Sequence, residues 1–134
     1  MNRTLIAAGL CLLAMPAFAQ KYTAQLSAAQ EVPPKQTAGT GMATMMLDGD
    51  KLTYDITYSG LTGAATAAHI HGPAEPGTNA GVAIPFPSPN SPIKGTATLN
   101  PQQVTDLKAG KDYVNVHTAA NPAGEIRGQI KAAP

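Results

Sequence analysis

Strand-like alternation broken by turn residues is the feature that most constrains this chain. From Lys51 to Ser59, Leu52, Tyr54, Ile56 and Tyr58 fall on one side and Thr53, Asp55 and Thr57 on the other. A period of two marks a strand with one buried face. Gly41 to Leu47 is a second strand-like run, entered through the turn Gly39-Thr40-Gly41, and Asp48-Gly49-Asp50 joins the two runs as a hairpin. Lys21–Leu26, Ala67–His71, Val82–Ile84, Ile93–Leu99, Tyr113–Thr118 and Glu125–Lys131 read as further strands. Turn signals recur about every eight to twelve residues, the spacing of a sandwich or barrel. Gly72 to Gly81 is a loop, and Pro85, Pro87, Pro89 and Pro92 keep their segment out of a sheet interior. One helix is expected. Asn100 caps it, Pro101 takes its first position, Gln103 completes a capping box, Val104 and Leu107 share a face and Gly110 ends it. The predicted fold is all-β: an immunoglobulin-like or Greek-key β-sandwich of about 7–8 strands with one short crossover helix.

Met1 to Ala19 follows a different rule. Arg3 precedes an apolar run from Leu5 to Met15, and Ala17-Phe18-Ala19 supplies a small-x-small border. This reads as a secretory signal peptide cleaved after Ala19, directing the chain to the periplasm or extracellular space. The run is shorter than the roughly 20 residues a bilayer requires, and no later stretch reaches that length, so no transmembrane segment is expected. Taking 19 residues from 134 leaves 115, a single domain over residues 20–134. The lone cysteine, Cys11, leaves with the leader, which removes disulfide and thiol chemistry. Arg3 leaves too, so nine Lys+Arg become eight against eight Asp+Glu. A charge-balanced chain lacks the basic excess that nucleic acid or an anionic membrane demands.

All three histidines, His69, His71 and His117, survive cleavage. Strand parity turns His69 and His71 one way and Ile70 the other, with about 7 Å between their Cα atoms. Tyr113, Asn115 and His117 share one face of their strand, Val114 and Val116 the other, and Glu125, Arg127 and Gln129 are placed opposite Ile126 and Ile130. Ile70, Val114, Val116, Ile126 and Ile130 are the expected core. The remaining faces carry a polar surface on which the histidines converge if the two strands are neighbours. A three-nitrogen set suits copper or zinc, with water, Glu31, Glu125 or an external ligand in the fourth position. The competing reading is that the histidines hydrogen-bond to backbone and carboxylates. Arg127 with Glu31 or Glu125 is read as a structural ion-pair network, and Met42, Met45 and Met46 as core filling.

These residues carry a family resemblance. Leu26-Ser27-Ala28-Ala29-Gln30-Glu31-Val32-Pro33-Pro34 resembles the opening motif of the CHRD (chordin-type) domain, with Ala28 where the family usually has glycine. Gly60-Leu61-Thr62 with Ala68-His69-Ile70-His71-Gly72-Pro73-Ala74 is similar to its central motif. Tyr113 to Thr118 and Asn121 to Gln129 are similar to its closing motif. The resemblance spans about Tyr22 to Ile130 and implies an immunoglobulin-like extracellular or periplasmic domain, here in the stand-alone bacterial form. It brings no settled activity. A weaker likeness is to copper-zinc superoxide dismutase, but three histidines and no mature cysteine do not supply that enzyme's two metal sites and disulfide.

No Gly-x-Ser-x-Gly elbow, cysteine nucleophile or phosphate loop is present. The leading functional reading is therefore a non-enzymatic binding or interaction domain whose ligand is a protein or small molecule, with a histidine-containing polar site. The alternative is a copper- or zinc-binding protein in storage, delivery or redox protection, with His69, His71 and His117 as ligands and no other cofactor. A metal-dependent enzyme using Glu31 or Glu125 ranks last.

Overall fold

The computed structural model describes residues Ala19 to Pro134. The leader lies outside the described residues, all but Ala19. The elements are β1 (Gln20–Ser27), a 3-10 turn (Ala28–Gln30), β2 (Thr40–Asp48), β3 (Lys51–Ser59), β4 (Ala65–His71), β5 (Val82–Pro85), β6 (Ile93–Thr98), α1 (Pro101–Lys108), β7 (Tyr113–Thr118), β8 (Ile126–Gln129) and β9 (Lys131–Ala132). The expected last strand, Glu125–Lys131, is interrupted. Glu125 precedes it, and Ile130 separates β8 from the two-residue β9.

Every pairing is antiparallel, in the order β5-β4-β7-β8-β1-β2-β3-β6, with β9 on β1. The β2–β3 hairpin closes through Gly49 at φ 62°, as its Asp-Gly predicts. Crossing connections return β6 beside β3 and β7 beside β4, in a nearly closed antiparallel sheet of sandwich or barrel type. β1 meets β8 through one register pair, Ser27 with Arg127. At that seam the sheet turns, and a single core draws on both halves: Leu26, Ala43, Leu52 and Ile56 on one side, Ile70, Val114, Val116 and Ile126 on the other. Each large side chain buried there contributes about 1.5–3 kcal/mol.

Helix α1 has both arms of its capping box. The Asn100 side chain accepts from the Gln103 N–H at 2.8 Å, and the Gln103 side chain accepts from the Asn100 N–H at 2.9 Å. Leu107 anchors the helix in the core and Val104 packs beside it. Of the three clustered methionines only Met45 is core. Met42 and Met46 are 41% and 39% exposed, because their parity turns them to the outer face of β2.

Candidate functional site

The topology settles strand adjacency. β4 lies against β7 with Ala67 opposite His117, His69 opposite Asn115 and His71 opposite Tyr113. Side chains of one parity on these two strands therefore meet, and His69, His71 and His117 each bring a ring nitrogen to within 4.8 Å of the other two. The expected polar surface is not a surface. His71, Asn115, His117 and Arg127 are all buried and His69 is half-buried. The loop between β4 and β5 folds over this face. Its Ala80 exchanges hydrogen bonds with the Tyr113 hydroxyl, donating at 3.1 Å and accepting at 3.2 Å.

Hydrogen bonds set the histidine tautomers. A carbonyl oxygen only accepts, so His117 Nδ1 donates to Pro122 O at 2.9 Å and its Nε2 keeps the lone pair. By the same logic His71 Nδ1 donates to Ala80 O at 2.9 Å. His69 Nδ1 lies 3.0 Å from His117 Nε2, so in the neutral cluster His69 donates there. His71 Nε2 is buried and meets no partner at all. Burial, followed by the proximity of His117 and His71, lowers the His69 pKa below the ordinary histidine value. Burial also lowers that of His71, outweighing its bond to Ala80 and the nearness of the Asn115 side chain, with His117 and Arg127 adding to the effect. Two rings are thus fixed by their far nitrogen on backbone carbonyls, the outer support that metal-binding imidazoles use.

Asn115 stands between the histidines and Glu31. Its Oδ1 and Glu31 Oε1 are, with His71 Nε2, buried atoms that lack partners. Gly124, at φ 127°, runs so close that an added Cβ would lie 2.6 Å from both Asn115 Nδ2 and Glu31 Oε1. Burial pushes the Glu31 carboxyl up to about 7 against the opposing pull of Arg127, Lys35 and Asn115.

Glu125 and Arg127 depart from the expected arrangement. Glu125 does not share a face with Arg127. Its carboxylate turns to Thr37 Oγ1 (3.1 Å), Thr62 N (3.0 Å), Thr62 Oγ1, Thr118 Oγ1 (2.8 Å) and Asn121 Nδ2 (3.2 Å). Burial alone would raise its pKa, but these bonds from Thr62, Thr118 and Thr37 hold it below the usual carboxylate value. Arg127 forms no ion pair with either glutamate; among the described residues the pair within 4.0 Å is Lys94 with Asp55. Its guanidinium donates to Asn79 Oδ1 at 2.9 Å and Thr78 O at 2.6 Å, and lies 3.5 Å above the Tyr113 ring.

Two contributors were not singled out from the sequence. Tyr113 stacks on His71 at 5.0 Å with an interplanar angle of 2°, and its parity with Asn115 and His117 was the available signal. Asp112, buried beside the start of β7, is pushed up to about 7 by burial and by Asp106, and no pattern in the sequence marks it.

No carboxylate joins the histidine cluster, so Glu31 and Glu125 are not among its ligating atoms. The arrangement brings three imidazoles together in a mostly buried, pre-oriented cup. No helix among the described residues is long and apolar enough to cross a membrane.

Comparison with known proteins places these motifs. The family model of the CHRD domain matches residues 22–130. Chordin of Xenopus laevis is 35% identical over 111 residues, covering 73% of this chain and 12% of chordin's own length. No solved structure matches. With the match running from β1 through β8 and including every histidine of the cluster, the chain belongs to the CHRD domain family.

Proposed function

We propose that this chain is a single exported CHRD domain, working in the periplasm or outside the cell as a non-enzymatic binding domain. We assign its bound species as a copper or zinc ion held by His69, His71 and His117. The observation that carries the reading is His71 Nε2, a buried lone-pair nitrogen without a partner, in a cluster whose ligating nitrogens lie within 4.8 Å. A purely structural role accounts for the contact between His69 and His117 but leaves that atom unsatisfied, at a cost of about 1–3 kcal/mol. Nitrogens sharing one tetrahedral ion lie about 3.4 Å apart for bonds near 2.0–2.1 Å, so small ring rotations, with the His69 proton moved off the nitrogen that faces the ion, complete the set. The lowered His69 and His71 pKa values favour the neutral, ligating form at pH 7.

Isothermal titration of the purified protein with Cu(II) and Zn(II) at neutral pH tests this. The expected result is one site of about micromolar affinity or tighter, abolished in His71→Ala. At about 100-fold excess over Kd the ion should add about 2.7 kcal/mol of stability, or about 10 °C in Tm. Binding no tighter than about millimolar for both ions overturns the reading and returns the histidines to a structural role.

A further inference from the structure

Outside the histidine cluster, the 3-10 turn, the β4–β5 loop and β8 enclose a cavity of about 380 Å³. Gln30, Glu31, Arg127 and Gln129 supply its polar lining, and Val32, Pro34 and Pro76 are among its apolar walls. Its volume falls in the range of small-molecule sites.

The charges here are unusual. Arg127 is 2% exposed and Glu31 is 5% exposed, yet no guanidinium-to-carboxylate contact within 4.0 Å forms between them. Buried opposite charges this close to one another ordinarily close into a pair, since leaving either uncompensated is costly. Arg127 is instead clamped by neutral groups: Asn79 Oδ1, Thr78 O and the Tyr113 ring. Those contacts occupy two of its five N–H donors. Glu31 and Gln129 line the same cavity, although their Oε1 atoms are sealed inside the protein. The residues around one cavity thus set a cationic donor beside a carboxylic and an amide side chain, and the guanidinium and carboxyl stay apart.

A ligand of full positive charge would meet Arg127, and one of full negative charge would meet Glu31. The group that suits both is neutral and donates and accepts at adjacent atoms, as a hydroxyl does. Vicinal hydroxyls would accept from the guanidinium and donate to the carboxylate, while a C–H face packs on Val32, Pro34 and Pro76. We propose that this cavity is a binding site for an uncharged polyhydroxyl molecule, a saccharide unit, with Arg127 as hydrogen-bond donor and Glu31 as acceptor. The site is independent of the metal reading, because no histidine lines the cavity.

Three sugars of one scaffold and different charge test it: glucose, glucosamine and glucuronate, titrated into 15N-labelled protein and followed by amide shifts. The expected result is saturable binding of glucose in about the millimolar range, with shifts at Glu31, Val32, Gly77, Arg127 and Gln129. Both charged analogues should bind at least about tenfold more weakly. Glu31→Gln should weaken glucose by about tenfold or more, since it replaces one of the two carboxylate oxygens with a donor and removes the charge. Pro76→Trp, placed on an exposed rim position, should block the cavity without touching the buried charges. Absence of saturation by glucose overturns the proposal. So does equal binding of either charged analogue, or unchanged glucose binding in Pro76→Trp with a folded spectrum.

Discussion

Replacing Glu125 by glutamine changes one atom and removes one charge at a point where five donors converge. Glu125 is 0% exposed, and its two oxygens accept from Thr37, Thr62 (backbone and hydroxyl), Thr118 and Asn121. The three threonine hydroxyls can rotate to other acceptors, or accept from the new amide. Thr62 N–H and Asn121 Nδ2 cannot turn their donors into acceptors. Glutamine's single carbonyl oxygen satisfies one of these fixed donors well and turns an N–H toward the other. The loss is one unsatisfied buried donor, about 1–3 kcal/mol, plus the weakening of charge-assisted bonds to neutral ones, about 1 kcal/mol. A total of about 2–4 kcal/mol in a domain of this size lowers Tm by about 8–16 °C. Differential scanning calorimetry at pH 7 reads it directly. Thr37→Val, which removes one hydroxyl donor to Glu125 and the acceptor of the Gly39 N–H, should cost about 1–2 kcal/mol and serves as the scale. A Glu125→Gln midpoint within about 2 °C of the parent would refute the claim that this carboxylate ties the segments around residues 37, 62 and 121 to β7.

Asp112 should show the opposite dependence on charge. Its folded pKa, about 7 against an ordinary 3.8, means the folded protein holds a proton that the unfolded chain has released. Its contribution to stability is therefore full below about pH 4 and is lost as pH rises to 7. Relative to the parent, Asp112→Asn should gain several degrees in Tm between pH 4 and pH 8, and a constant difference across that range contradicts the assignment. Asn100→Ala removes one arm of the capping box and should cost about 1 kcal/mol, seen as a drop of about 4 °C in Tm; a loss beyond twice that means α1 is held otherwise. Gly128→Ala would place a Cβ 2.2 Å from the Gln25 carbonyl oxygen at the β1–β8 seam. We expect loss of soluble, dispersed protein, and a folded variant with a normal midpoint would show that the seam yields.

Local physics made the strands legible. The alternation of β3, the Asp-Gly turn before it and the Asn100-Pro101-Gln103 cap each act within a few residues, and each appears at its expected place. The shared parity of His69 and His71, and of Asn115 and His117, was legible for the same reason. Adjacency was not, because β4 and β7 are joined by a path through β5, β6 and α1, and nothing periodic in that path fixes where it returns. The burial of the polar face was hidden for a related reason. Its cover is the Gly72–Gly81 loop, which acts through backbone atoms such as the Ala80 carbonyl and amide and so has no side-chain pattern to read. Glu125 shows the strongest override. Parity assigned it to the face of Arg127, but five donors from four positions, Thr37 and Thr62 among them far off in sequence, outweigh the preference of a strand end, and the residue leaves the strand. A polar residue at strand parity therefore says only that the hydrophobic core lies on the other side. Whether the polar side meets water is decided by long-range partners. Where those partners are complete, as around Glu125, the residue is architecture. Where they stop short, as at His71 Nε2, Asn115 Oδ1 and Glu31 Oε1, burial has been tolerated without full protein compensation, and a bound species is the physical reason to look for next.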